Sequence, residues 1–149
     1  MEQFFARLTW LSSKQVFNIE GLGESGWRTL WQAHHFEHLF SWLLLTQAQM
    51  QATPGFSSAR GLALWHRFNL VREKPFIRWL MALGVPLTQA SLKAMGDVTW
   101  QTLSGRNAKD WQSLPGTGEK KARQIVAFIH DPGVAGLASW LGKQGLPGF

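Results

Sequence analysis

The sequence contains no cysteine, which excludes disulfides and thiolate zinc sites. Tyrosine is absent too, although there are nine Trp and ten Phe. Large rings dominate burial in small domains, so most of these are expected in the core. Acids are scarce: nine Asp and Glu face fifteen Lys and Arg, a formal charge of +6. Such a surplus is a statement about partners, and polyanions are the first class it suggests. Long apolar runs are also missing. The strongest, residues 40–45, falls far short of the ~20 residues a membrane span needs. No basic flank followed by an apolar stretch opens the chain, so no signal peptide is expected and a soluble, cytoplasmic protein is. The 149 residues suffice for one domain with a real core, or for two very small ones.

What is present is helical periodicity. Residues 27–30, 36–45, 62–68, 76–83 and 122–129 place apolar side chains at three- and four-residue steps. No stretch sustains the alternation of a strand, so the expected class is all-α. Gly and Pro punctuate at short intervals: Gly21-Leu22-Gly23, Pro54-Gly55, Gly84-Val85-Pro86, Pro115-Gly116-Thr117-Gly118 and Asp131-Pro132-Gly133. Short helices joined by tight turns follow. The Gly- and Pro-rich residues 142–149 are expected to fray.

The punctuation repeats. Gly21-Leu22-Gly23 aligns with Gly55-Phe56-Ser57 and with Gly116-Thr117-Gly118. Seven residues beyond each triplet lies a large aliphatic residue: Leu30, Leu64 and Ile125. Three positions before those lie Trp27, Gly61 and Ala122, small in two of the three. A degraded copy is read at Leu87-Thr88-Gln89. The period is roughly thirty residues, the size of two short helices and a turn, so four tandem helical hairpins are expected.

The best copy spans residues 114–125. Leu114 anchors the end of one helix, and the glycines let the turn adopt conformations that other residues avoid. Ala122 permits a close crossing, and Ile125 fills the space between the helices. Backbone N–H groups stay free where the second helix starts, which makes a ready anion seat. Lys120, Lys121 and Arg123 fall in the first turns of that helix, where the dipole disfavours cations. Beside a phosphate they make better sense. Arg28 and Arg60 repeat the theme in the first two copies.

The residues Phe17-Asn18-Ile19-Glu20-Gly21-Leu22-Gly23, Leu80-Met81-Ala82-Leu83-Gly84-Val85 and the 114–125 hairpin resemble the helix-hairpin-helix domain of bacterial NAD-dependent DNA ligases. Order and spacing hold from about residue 4 to 145. The Trp-rich residues 39–46 and 64–70 look most like the enterobacterial B-type variant, which ends without a BRCT domain, as this sequence ends at Phe149. The resemblance implies tandem helix-hairpin-helix repeats (one of the four degenerate) over residues 16–141, with 1–15 as a lead-in and 142–149 as a tail.

The same resemblance implies a grip on both strands around a nick, through the minor groove and without base specificity. The expected contacts are Gly21, Leu22, Gly23, Arg28, Gly55, Ser57, Arg60, Gly116, Thr117, Gly118, Lys120, Lys121 and Arg123. Double-stranded or nicked DNA and the other ligase domains are the implied partners, and the chain is expected to be monomeric. NAD and Mg would be bound by other parts of the parent ligase, with no cofactor in this chain. The Lys-x-Asp-Gly motif of nucleotidyl transfer is missing, and Lys109-Asp110-Trp111 lacks its spacing and glycine. The chain alone is therefore expected not to seal nicks. Ser57 and Gln89 stand where the family has glycine, which puts phosphate contact by those two hairpins in question. A helical protein-interaction module is the rival reading.

Other signals are weaker. Gly21-Leu22-Gly23-Glu24-Ser25-Gly26 matches a dinucleotide-binding pattern, but no β-α-β context surrounds it. His34 and His38 are four apart yet lack a third metal ligand, so no metal is expected. Asp131 could serve a helix-hairpin-helix glycosylase, but Asp131-Pro132-Gly133 reads first as a turn. Trp27, Trp42, Trp65 and Trp79 are expected in the core. Trp111 is the one ring left as a candidate for stacking on bases.

Overall fold

A computed structural model describes every residue except Asp97, with the side chain of Gln89 also outside the described set. All regular structure among the described residues is helical. The chain divides into two compact units, Met1–Lys74 and Pro75–Phe149.

The first unit holds α1 (Glu2–Leu11), α2 (Glu24–His34), a short 3₁₀ turn (Ser41–Leu44), α3 (Gln47–Gln51) and α4 (Ser58–Val71). Residues 1–15, read from the sequence as a lead-in, carry regular structure. They form α1, which packs against α2 and buries Phe5, Leu8 and Leu11 at a three-residue step. Residues 36–45, apolar enough to suggest a helix, form only the 3₁₀ turn and its flanks. Its rings are needed elsewhere. Trp42 meets Trp27 at 5.6 Å and Phe68 at 4.8 Å, while Trp27 and Phe68 stack 5.7 Å apart and 11° from parallel. The two indole N–H groups find acceptors, Trp42 on the Leu39 carbonyl at 2.7 Å and Trp27 on Ser12 Oγ at 3.5 Å. Each such pair adds roughly 0.5–1.5 kcal/mol beyond area burial. The tryptophans are thus the scaffold of the unit.

Helices α3 and α4 cross so closely at Gly61 that a Cβ there would overlap the Met50 carbonyl oxygen. That is why this position is small. Thr53, almost wholly buried, donates its hydroxyl to the Gln49 carbonyl at 2.8 Å. Its oxygen must therefore accept from His34 Nε2, 2.9 Å away, which ties the end of α2 to the second hairpin.

The second unit holds α5 (Phe76–Leu83), α6 (Gln89–Met95), α7 (Trp100–Ser104), α8 (Ala108–Gln112), α9 (Glu119–His130) and α10 (Pro132–Lys143). Helix α9 is central, packing against α7, α8 and α10 and burying Ala122, Ile125 and Ile129. Asp131 caps α10 by accepting from the amides of Gly133 and Val134, as its turn sequence suggested. The tail, expected to fray, is packed against its unit. Leu146 is buried, the Trp100 amide donates to the Gly148 carbonyl at 2.7 Å, and Phe149 packs against Phe76, Trp79 and Trp100. Trp111 is wholly buried, so it cannot stack on a base. No single helix among the described residues is long and apolar enough to cross a membrane.

Candidate nucleic-acid interface

Three of the four segments that the repeat marks as hairpins share one backbone path. A glycine in the left-handed region opens each turn: Gly21 at φ +75°, Gly55 at +92° and Gly116 at +75°. That region costs other residues ~1–2 kcal/mol. Two positions later comes the helix N-cap, Gly23, Ser57 or Gly118, in extended backbone. The third hairpin is built differently. Its N-cap is Thr88, so the corresponding triplet is Pro86-Leu87-Thr88, one residue earlier than Leu87-Thr88-Gln89. With that register, Leu92 and Met95 occupy the two buried helix positions, as Gly61 and Leu64 or Ala122 and Ile125 do. Proline locks φ near −65° and cannot open a left-handed turn. The left-handed residue there is Gly84, closing α5.

The N-caps divide the hairpins into two kinds. Ser57 Oγ accepts from the Arg60 amide at 3.0 Å, and Thr88 Oγ1 accepts from the Ser91 amide at 3.1 Å. Those two helix starts are satisfied from within. Gly23 and Gly118 have no side chain to do the same, and α2 and α9 begin without a side-chain cap. A Cβ at Gly23, Gly116 or Gly118 would meet nothing within 4 Å. The first and fourth hairpins therefore combine helix starts without a side-chain cap with open space where a side chain at Gly23 or Gly118 would lie. The question raised by Ser57 has a geometric counterpart, and at the third hairpin it belongs to Thr88; the side chain of Gln89 lies outside the described residues.

The cations are placed unequally. Arg28 lies over the Phe5 ring at 4.3 Å, donates to both Glu2 oxygens at 2.8 Å and has Glu24 3.7 Å away. The pairing holds the Glu2 carboxyl below its usual range and the Arg28 guanidinium above its own. Arg28 thus closes α1 on α2. Arg123 forms an exposed pair with Glu119 at 2.7 Å, one turn back on α9. Lys120, Arg123, Gln124 and Ala127 line a broad open depression on α9. Arg60 rests on Phe56 at 4.2 Å and reaches out of its own hairpin, its Nη2 lying 3.3 Å from the Gly21 carbonyl.

Arg67, which the sequence did not single out, does likewise. Its Nη1 donates to the Glu20 carbonyl at 3.2 Å. Two arginines of α4 therefore flank the first hairpin loop, each with donors to spare. Their seven-residue spacing is two helical turns, the one signal by which Arg67 could have been found.

The tempting alternatives dissolve locally. Gly26 lies inside α2, where a Cβ would press on Leu22 and Arg60, so that glycine serves packing. Helix α2 ends at His34, and His35 turns away at φ +49°, so His34 and His38 share no helical face. The chain matches no known family model.

Proposed function

We propose that this chain binds the sugar-phosphate backbone of duplex or nicked DNA without reading base sequence, as the helix-hairpin-helix part of an NAD-dependent DNA ligase. The observation that carries the reading is the pair of glycine-capped helix starts at Gly23 and Gly118. Each leaves N–H groups unclaimed by a side chain, faces open space and has cations nearby. In the first unit these are Arg60 and Arg67; in the second, Lys120 and Lys121. Amides at a helix start favour an anion by both hydrogen bonding and dipole. A phosphate contact carries no sequence information, so the binding is general.

On this reading Gly21, Leu22, Gly23, Gly116 and Gly118 seat phosphates, Thr117 closes the fourth turn through its amide on the Leu114 carbonyl at 3.2 Å, and Gly55 and Ser57 shape a supporting hairpin. Arg28 serves the fold. The chain carries no Lys-x-Asp-Gly lysine to attack an adenylate donor, so its residues do not fit the nucleotidyl-transfer step. NAD and Mg would belong to other domains of the parent enzyme, which would act on the nucleoid in the cytoplasm.

The test is a fluorescence-anisotropy titration of nicked duplex at several salt concentrations, beside Gly116→Val/Gly118→Val. Phosphate binding should weaken with a logarithmic slope of about −0.9 per phosphate neutralised. Salt-dependent binding that the folded double variant loses supports the reading. Binding indifferent to salt, or equal in the variant, refutes it and favours a protein-docking module.

A further inference from the structure

Each unit repeats one arrangement that the hairpin motif does not require. The peptide preceding the left-handed glycine of the glycine-capped hairpin is Glu20 in the first unit and Pro115 in the second. Both carbonyls are held by a side chain from the neighbouring, self-capped hairpin. Arg67 Nη1 donates to the Glu20 oxygen at 3.2 Å. Ser91 Oγ donates to the Pro115 oxygen at 2.9 Å. The donors differ in type and come from different helices, α4 and α6, yet they reach the same position of the loop. Arg60 adds a second hold in the first unit, on the Gly21 carbonyl.

The Ser91 hold is a relay. The Ser91 amide donates to Thr88 Oγ1, that hydroxyl donates to Ser91 Oγ at 3.0 Å, and Ser91 Oγ donates to Pro115. Ser91 is 1 % exposed, so a ligand outside cannot reach it. The same threonine that closes its own helix start therefore helps fasten the next hairpin. Such chains polarise one another and favour a single geometry.

We infer that Arg67 and Ser91 are positioning residues: the second and third hairpins hold the loops of the first and fourth in the shape that presents their amides. The inference rests on the DNA-binding reading for its consequence, but not for its geometry. A carbonyl pinned inward fixes the orientation of its peptide plane, and so the direction of the one N–H that shares it, at Gly21 or Gly116, from which the rest of the loop continues. In each unit one hairpin seats the phosphate and its neighbour braces the seat.

The experiment uses the whole chain carrying Ser91→Ala, Arg67→Met and Arg67→Lys, read by two-dimensional amide NMR and by DNA titration. Ser91→Ala should move the Gly116, Thr117 and Gly118 amide resonances and speed their exchange, while Leu64 and Phe68 in the other unit stay put. Its affinity for nicked duplex should fall about fivefold at an unchanged salt slope, because no charge is lost. Arg67→Met should move the Gly21 to Gly23 amides, and Arg67→Lys should restore them in part. Loop resonances unmoved in both Ser91→Ala and Arg67→Met would overturn the inference, as would Ser91→Ala binding DNA like the wild type when the wild type binds. Loops that move in a protein that ignores DNA would keep the positioning and sink the DNA reading instead.

Discussion

At the scale of the residue, the N-cap positions carry the most information. Gly23 and Gly118 sit in extended backbone that any residue adopts, so their lack of a side chain is not a demand of the turn. Gly118→Ser is therefore expected to cap α9 as Ser57 caps α4, raising stability by a few tenths of a kcal/mol in urea unfolding. The new hydroxyl would occupy the amide that a phosphate needs. DNA affinity should then fall about tenfold or more, a charge-assisted hydrogen bond being worth roughly 1.5–3 kcal/mol. A variant that is both more stable and equally tight would refute the phosphate seat at this hairpin. Trp111 gives the opposite kind of prediction. Its burial assigns it to the core, and Trp111→Phe should leave DNA binding intact while lowering the melting temperature.

At the scale of the element, the crossing of α3 and α4 is the tightest contact described. Gly61→Ala would drive a methyl into the Met50 backbone, which is no flexible side-chain end. Overpacking of this kind costs about 1–3 kcal/mol, and thermal unfolding should register it as several degrees. An unchanged melting temperature would mean that the crossing can open without penalty. This packing was readable in advance, because small residues at Gly61 and Ala122 recur at fixed distance from the turn. The third hairpin was readable only in part. Pro86 hides the glycine that marks the other turns, so the sequence offers no landmark for its register; Thr88 as N-cap supplies it.

At the scale of the whole molecule, two histidines link stability to pH. Burial pushes His34 below its ordinary value, partly offset by a backbone hydrogen bond, and does the same to His38 against the opposing charge of Glu37. His38 Nδ1 also accepts from the Phe40 amide at 3.1 Å, which requires an unprotonated nitrogen. Both shifts are downward, so the folded state prefers neutral imidazole. Their contribution is fully present above the unfolded value near 6.5 and is lost as pH falls through the folded pKa values. Urea unfolding followed by tryptophan fluorescence should thus give lower stability at pH 5 than at pH 7.5. His34→Gln/His38→Asn should flatten that difference, and an undiminished one would locate the dependence elsewhere. The tail adds a last test. Phe149→Ala should destabilise the second unit by about 2 kcal/mol, less than a fully buried Phe because the ring is half-buried.

The sequence by itself determined the helical class, the places of α2, α4, α5 and α9, three of the four turns and the glycines that open them. These depend on periodicity and on φ preferences, which act over a few residues and so are written locally. Tertiary structure alone decided the division at Lys74, the packing of residues 1–15 and of the tail, and the fate of the cations. Arg28 is taken up by Glu2, and Arg60 and Arg67 serve a loop 39 and 47 residues earlier in the chain. Ser91 reaches Pro115 in the same way. Those pairings arise from how helices pack, and helix packing brings together groups whose separation along the chain carries no local signature.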